Sequence, residues 1–150
     1  MRVSKWLHFR KKTKIIQWKT WDVEFLKFQL KSLREDVRLQ YDNIKEQKIK
    51  NDTIKELIQY VGIDEAKKRI SLGPDALFNI DKSTKLSLNE NEKQQVKDFE
   101  IISQNMQTDL TQLEQRMIVI DKQIEEAETN LENFYSLLKM LKLYISHDKK

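Results

Sequence analysis

The sequence predicts an all-α protein, a long antiparallel coiled-coil helical hairpin with a short irregular or small β-hairpin connector and a basic, aromatic N-terminal segment. Three observations carry this. The chain has 150 residues but only two Gly and one Pro, so its backbone has few places to turn sharply and consists of a few long elements. Two stretches repeat apolar residues with a seven-residue period, the signature of a helix that packs along one seam. All the Gly and Pro residues that could separate those stretches fall between 62 and 86. The chain therefore reads as segment 1–21, helix 22–61, connector 62–86, helix 87–146 and tail 147–150.

The head, "MRVSKWLHFRKKTKIIQWKTW", holds seven Lys or Arg, all three Trp residues of the chain and no carboxylate. Its charge of +7 contrasts with −3 for residues 22–150, where 21 cations face 24 anions. Arg2, Lys5, Arg10, Lys11, Lys12, Lys14 and Lys19 are the candidate polyanion contacts, able to neutralise phosphates while an aromatic neighbour stacks on a base. The mixture of Trp and Lys also suits an anionic headgroup layer, the less favoured partner. Against both stands simple packing, which assigns Trp6, Trp18 and Trp21 to covering an apolar helix end.

In the first helix Val23, Leu30, Val37, Ile44, Asn51 and Ile58 take the a positions, and Leu26, Leu33, Gln40, Gln47, Ile54 and Val61 take d. Gln40, Gln47 and Asn51 form a polar middle; with Ser103 of the second helix they are the expected register-setting residues. Asp22 is the expected N-cap, with Trp21 stapled onto Leu26, and Gly62 the expected stop. In the connector, Asp64 is placed to cap a short helix through Leu72 that Gly73 and Pro74 close. The runs "ALFNI" and "KLSL" around Asp81 to Thr84 fit either a small hairpin or a plain loop.

The second register runs from Val96 to Ile145 through Ser103, Leu110, Met117, Ile124, Leu131 and Leu138 at a, and Phe99, Met106, Leu113, Ile120, Ala127, Phe134 and Leu141 at d. Only Ser103 is polar, and Ser87 with Glu90 forms a capping box that would begin this helix. At ~1.5 Å per residue the helices span about 60 and 87 Å, so Glu132 to Ile145 would overhang the first helix. Leu137, Met140, Leu143 and Tyr144 make that overhang apolar beyond its seam. Trp6, Trp18, Trp21, Phe134, Leu138, Leu141, Tyr144 and Ile145 are accordingly the expected oligomer or partner interface.

Residues 98–132 carry nine carboxylates against Arg116 and Lys122, either a solvated face or a dock for the basic head of a neighbouring copy. His8 and His147 belong to no nucleophile or metal spacing, and the two glycines form no phosphate-cradling loop. No catalytic residue, metal ligand, cofactor or small-molecule substrate is assigned. With no Cys and no 18-residue apolar run, an intracellular or virion-associated location is expected, neither secreted nor transmembrane. The expected function is a non-enzymatic assembly or scaffolding subunit of a larger complex, a virion or ribonucleoprotein for example, that engages an acidic partner through its basic pole. The alternative is a nucleic-acid-binding accessory factor.

Overall fold

A computed structural model describes the backbone of residues 2–77 and 79–148 and the side chains of residues 7–77 and 79–146. The protein is all-helical. Helix α1 spans Arg2–Val61, α2 spans Ile63–Leu72, a 3-10 turn covers Pro74–Leu77, and α3 spans Glu90–Asp148.

The head is not a separate segment. It is the first third of α1, because residues 2–21 contain neither Gly nor Pro and hold seven Lys or Arg, which lose little rotamer freedom in a helix. Thr13 and Thr20 are accommodated by donating their hydroxyls to the Phe9 and Ile16 carbonyls, each at 2.8 Å. Asp22 caps nothing, and no Trp21–Leu26 staple is required, since the chain is already helical there. The consequence is that α1 has 60 residues and α3 has 59, and the length mismatch expected between the helices disappears.

The chain divides into two compact units, Met1–Val37 with Arg116–Lys150, and Arg38–Gln115. In each, a stretch of α1 packs antiparallel against a stretch of α3. In the first, Lys27 pairs with Glu128 at 3.2 Å and Arg34 grips Asp121. In the second, Tyr41 donates to Glu114 at 2.8 Å and Lys55 meets Glu100 at 3.0 Å.

Helix α3 keeps the register read from the sequence. From Val96 to Ser146 the fifteen a and d residues are the ones withdrawn from solvent, and every other residue is exposed. Helix α1 keeps eight of its twelve. Leu30, Val37, Asn51 and Ile58 are buried and Val23, Ile44, Ile54 and Val61 half-buried, while Leu26, Leu33, Gln40 and Gln47 face solvent. Their seam places go to Lys27, Arg34, Tyr41 and Lys48, one residue further on, in a column that Thr20 and Lys55 continue. Gln40 and Gln47 therefore set no register; Gln47 reaches only Asn43 of its own helix, at 3.4 Å. Asn51 and Ser103 do cross the seam. Asn51 Nδ2 donates to the Phe99 carbonyl at 2.9 Å, and Ser103 donates to Asp52 at 2.6 Å.

The second unit has a closed core cluster. Leu57, Ile58 and Ala66 form its buried centre, and Ile54, Ile70, Leu77, Ile80, Leu88 and Phe99 close around it. Gly62 ends α1 as expected, at φ 82°, a conformation L side chains rarely adopt, and its N–H reaches the Ile58 carbonyl at 3.1 Å. Gly62, and not Asp64, occupies the N-cap of α2; Gly73 then ends that helix at φ 103°. Arg69 ties the next turn down by donating to the Ala76 carbonyl at 3.0 Å.

Residues 79–89 form an irregular strap instead of a hairpin, and no strand occurs among the described residues. Leu86 N–H bonds to the Gln59 carbonyl at 2.6 Å, while Asp81 accepts from Ser83 N–H at 2.9 Å in a local turn. The Asp81 carboxyl is held below its ordinary pKa by these Ser83 hydrogen bonds. The capping box of α3 sits two residues beyond the expected pair: Asn89 accepts from Glu92 N–H at 2.8 Å, and Glu92 accepts from Asn89 N–H at 3.4 Å. Asn caps as well as Ser, and Glu92 supplies the reciprocal carboxylate.

Candidate interaction surface

The unit formed by Met1–Val37 and Arg116–Lys150 contains the residues the sequence singled out. Its seam is built from Phe9, Ile16, Val23, Leu30 and Val37 on α1, facing the apolar a and d residues of α3. Phe134, Leu138, Leu141 and Ile145 are half-buried in that seam. Phe9 stacks at a tilt on Tyr144, ring centroids 4.5 Å apart. The far end of α3 is thus covered by the head, as a continuation of helix packing.

Trp18 and Trp21 point elsewhere. Trp18 is 59% and Trp21 54% exposed, so their expected role as packing residues inside the fold is corrected. At about 100° per residue, Trp18, Trp21, Phe25 and Phe28 share one stripe, roughly opposite the seam. Phe25 and Phe28 are 62% and 69% exposed, and Leu7 continues the stripe toward the N-terminus. Sequence reading missed Phe25 and Phe28 as surface residues; the signal was their three- and four-residue spacing from the tryptophans.

Arg10, Lys11, Lys12, Lys14 and Lys19 are all exposed. Helical spacing places Arg10, Lys11 and Lys14 on the aromatic stripe itself, N-terminal to Trp18, and turns Lys12 and Lys19 toward another flank with Ile15, Leu26 and Leu33. The side chains of Arg2, Lys5 and Trp6 lie outside the described residues.

On α3, Leu137, Met140, Leu143 and Tyr144 are exposed beside Lys139 and Lys142. An open groove of about 540 Å³ joins the two helices there, lined by Trp21 and Glu24 on one side and Tyr135, Lys139, Lys142 and Leu143 on the other. Tyr135 donates to Glu24 across the groove, and the bond to that carboxylate raises its phenol above the ordinary pKa. A second groove continues along Lys27, Phe28, Lys31 and Glu132.

The acidic surface of α3 is answered from within the chain. Asp121 and Glu128 take Arg34 and Lys27 in this unit; Glu100 and Glu114 take Lys55 and Tyr41 in the other. Those partners sit at seam positions of α1, which removes much of the dock proposed for a neighbouring head.

His8 lies edge-on to Phe9, centroids 5.9 Å apart, and His147 lies outside the described side chains. Among the described residues, no group of three His, Cys, Asp or Glu side chains is placed to hold a metal ion, and no helix is long and apolar enough to cross a membrane. No family model, curated protein or solved structure matches this chain.

Proposed function

We propose that this chain is a non-enzymatic assembly or scaffolding subunit whose α1 and α3 work as an antiparallel coiled-coil hairpin, and whose basic N-terminal pole engages an acidic partner. The observation that supports it is the exposure of a cationic and aromatic surface on the helix face that the seam does not use. Aromatic side chains left in water in such number mark a contact surface more often than a solvated face. The coiled coil supplies a rigid support, and Asn51 and Ser103 hold its register through polar contacts that a slipped pairing would break.

The test is to replace Lys11, Lys12 and Lys14 together by Gln and compare both proteins in lysate from the native cell by sedimentation. The 18.1 kDa chain is expected to travel in a much larger particle, and the variant to leave it. A chain that sediments alone in both forms refutes the assembly role. The exposed Trp18 and Trp21 also favour a second reading, contact with single-stranded nucleic acid, which predicts affinity falling steeply as salt rises.

A further inference from the structure

We infer that the acidic partner of this pole is an anionic bilayer surface, against which α1 lays the stripe bearing Trp18, Trp21, Phe25 and Phe28; this rests on the basic pole proposed above.

Three occupants compete for that stripe. A second copy of the chain would bury the aromatics, but it would also bring like charges together. Residues 1–21 and 133–147 hold nine Lys or Arg and no carboxylate, and both segments belong to the same unit. Two copies meeting through these ends would bring those cations together and repel. A nucleic acid satisfies the cations and offers bases to the aromatic rings. It leaves Leu7 of the stripe in water, because an aliphatic side chain has no π face to stack and nothing to gain from a phosphate.

A bilayer interface uses all three residue classes. Trp settles at headgroup depth, where one end of the indole is wet and the rest is not. Phe25, Phe28 and Leu7 enter the acyl boundary, and Lys11 and Lys14 extend their stems along it to reach lipid phosphates. On the α3 side, Lys139, Lys142 and Leu143 line the groove that Trp21 borders, so cations and an apolar side chain of α3 lie beside that end of the stripe. The geometry is also compatible with the fold as it stands. The stripe lies away from the seam, so α1 keeps α3 while it meets lipid, and no helix has to cross the bilayer.

The experiment uses the full chain with Trp6→Phe, leaving Trp18 and Trp21 as the fluorophores. Vesicles of equal parts phosphatidylcholine and phosphatidylserine are compared with pure phosphatidylcholine vesicles and with single-stranded polythymidine. The inference requires a blue shift of Trp emission and co-sedimentation with the anionic vesicles only. Lys11→Gln and Lys14→Gln should each weaken that binding about fivefold. Phe25→Ser with Phe28→Ser should abolish it while the helical far-ultraviolet signal is kept, since both positions are exposed. Binding that survives the Phe pair unchanged overturns the inference. Binding to polythymidine without binding to vesicles also overturns it while the basic pole stands; binding to neither removes both.

Discussion

Ile58 has no exposed surface and belongs with Leu57 and Ala66 to the buried centre of the second unit. Ile58→Ala removes its contacts and leaves a cavity that two helices and a strap cannot collapse, so a loss of about 2–4 kcal/mol is expected in urea unfolding. Leu26→Ala is the instructive control. The apolar pattern made Leu26 a seam residue, yet it is 48% exposed, and its truncation should cost under about 1 kcal/mol. Equal losses at the two positions would restore the register read from sequence. Asp52 gives the pH dependence at this scale. Partial burial raises its pKa, but hydrogen bonds from Ser103 and Lys48 outweigh burial and hold it below its ordinary 3.8. A carboxyl depressed in the folded state adds stability above its unfolded pKa and loses it as pH falls through the folded one. Stability should therefore begin to decline as pH drops below about 3.8, and Ser103→Ala should move the Asp52 titration upward in a carboxyl NMR series.

The start of α3 depends on a reciprocal pair, Asn89 and Glu92, that satisfies two otherwise unpartnered donors. Asn89→Ala should cost about 1 kcal/mol and fray the first turn, visible as faster amide exchange at Glu92 and Lys93; unchanged exchange there would show that the cap is dispensable. What sequence pattern reveals about an element depends on how uniform its buried face is. In α3 every seam place but Ser103 is apolar, so the period was legible to the last turn. In α1 the second seam column is Thr20, Lys27, Arg34, Tyr41, Lys48 and Lys55, residues whose stems or rings cover the seam while their polar ends reach α3 or their own helix. A rule that seeks apolar residues selects Leu26 and Leu33 instead, one place short. The head was misread for a related reason. Its charge set it apart as a module, whereas helix propensity, which ignores the sign of charge, makes it continuous with α1. Its stripe of Trp18, Trp21, Phe25 and Phe28 has a helical spacing, but whether that stripe faces core or water depends on which face α3 occupies.

At the scale of the whole molecule the two units differ in how they are held. Arg38–Gln115 has a closed cluster fed by α1, α2, the 3-10 turn, the strap and α3, while Met1–Val37 with Arg116–Lys150 rests on a two-helix seam alone. Its ion pairs add little. Lys27–Glu128 and Arg34–Asp121 are between a quarter and half exposed, a setting in which such pairs contribute about 0–1 kcal/mol and serve mainly to favour one register. The seam of the first unit must then depend on both helices being present along its length. Removing residues 1–21 deletes Phe9, Ile16 and Thr20 and leaves Phe134, Leu138, Leu141 and Ile145 with their buried sides open to water. Local opening free energy tracks buried apolar contact, so amide protection should fall by orders of magnitude over residues 131–146. Residues 54–70 and 96–110 should keep theirs, because no side chain of their cluster comes from the deleted segment. Exchange mass spectrometry of the intact and shortened chains reads both regions at once. Loss confined to the far end of α3 is the expected result; protection there that survives the deletion would mean that something other than the head covers it, and loss in both regions would mean that the units do not open separately.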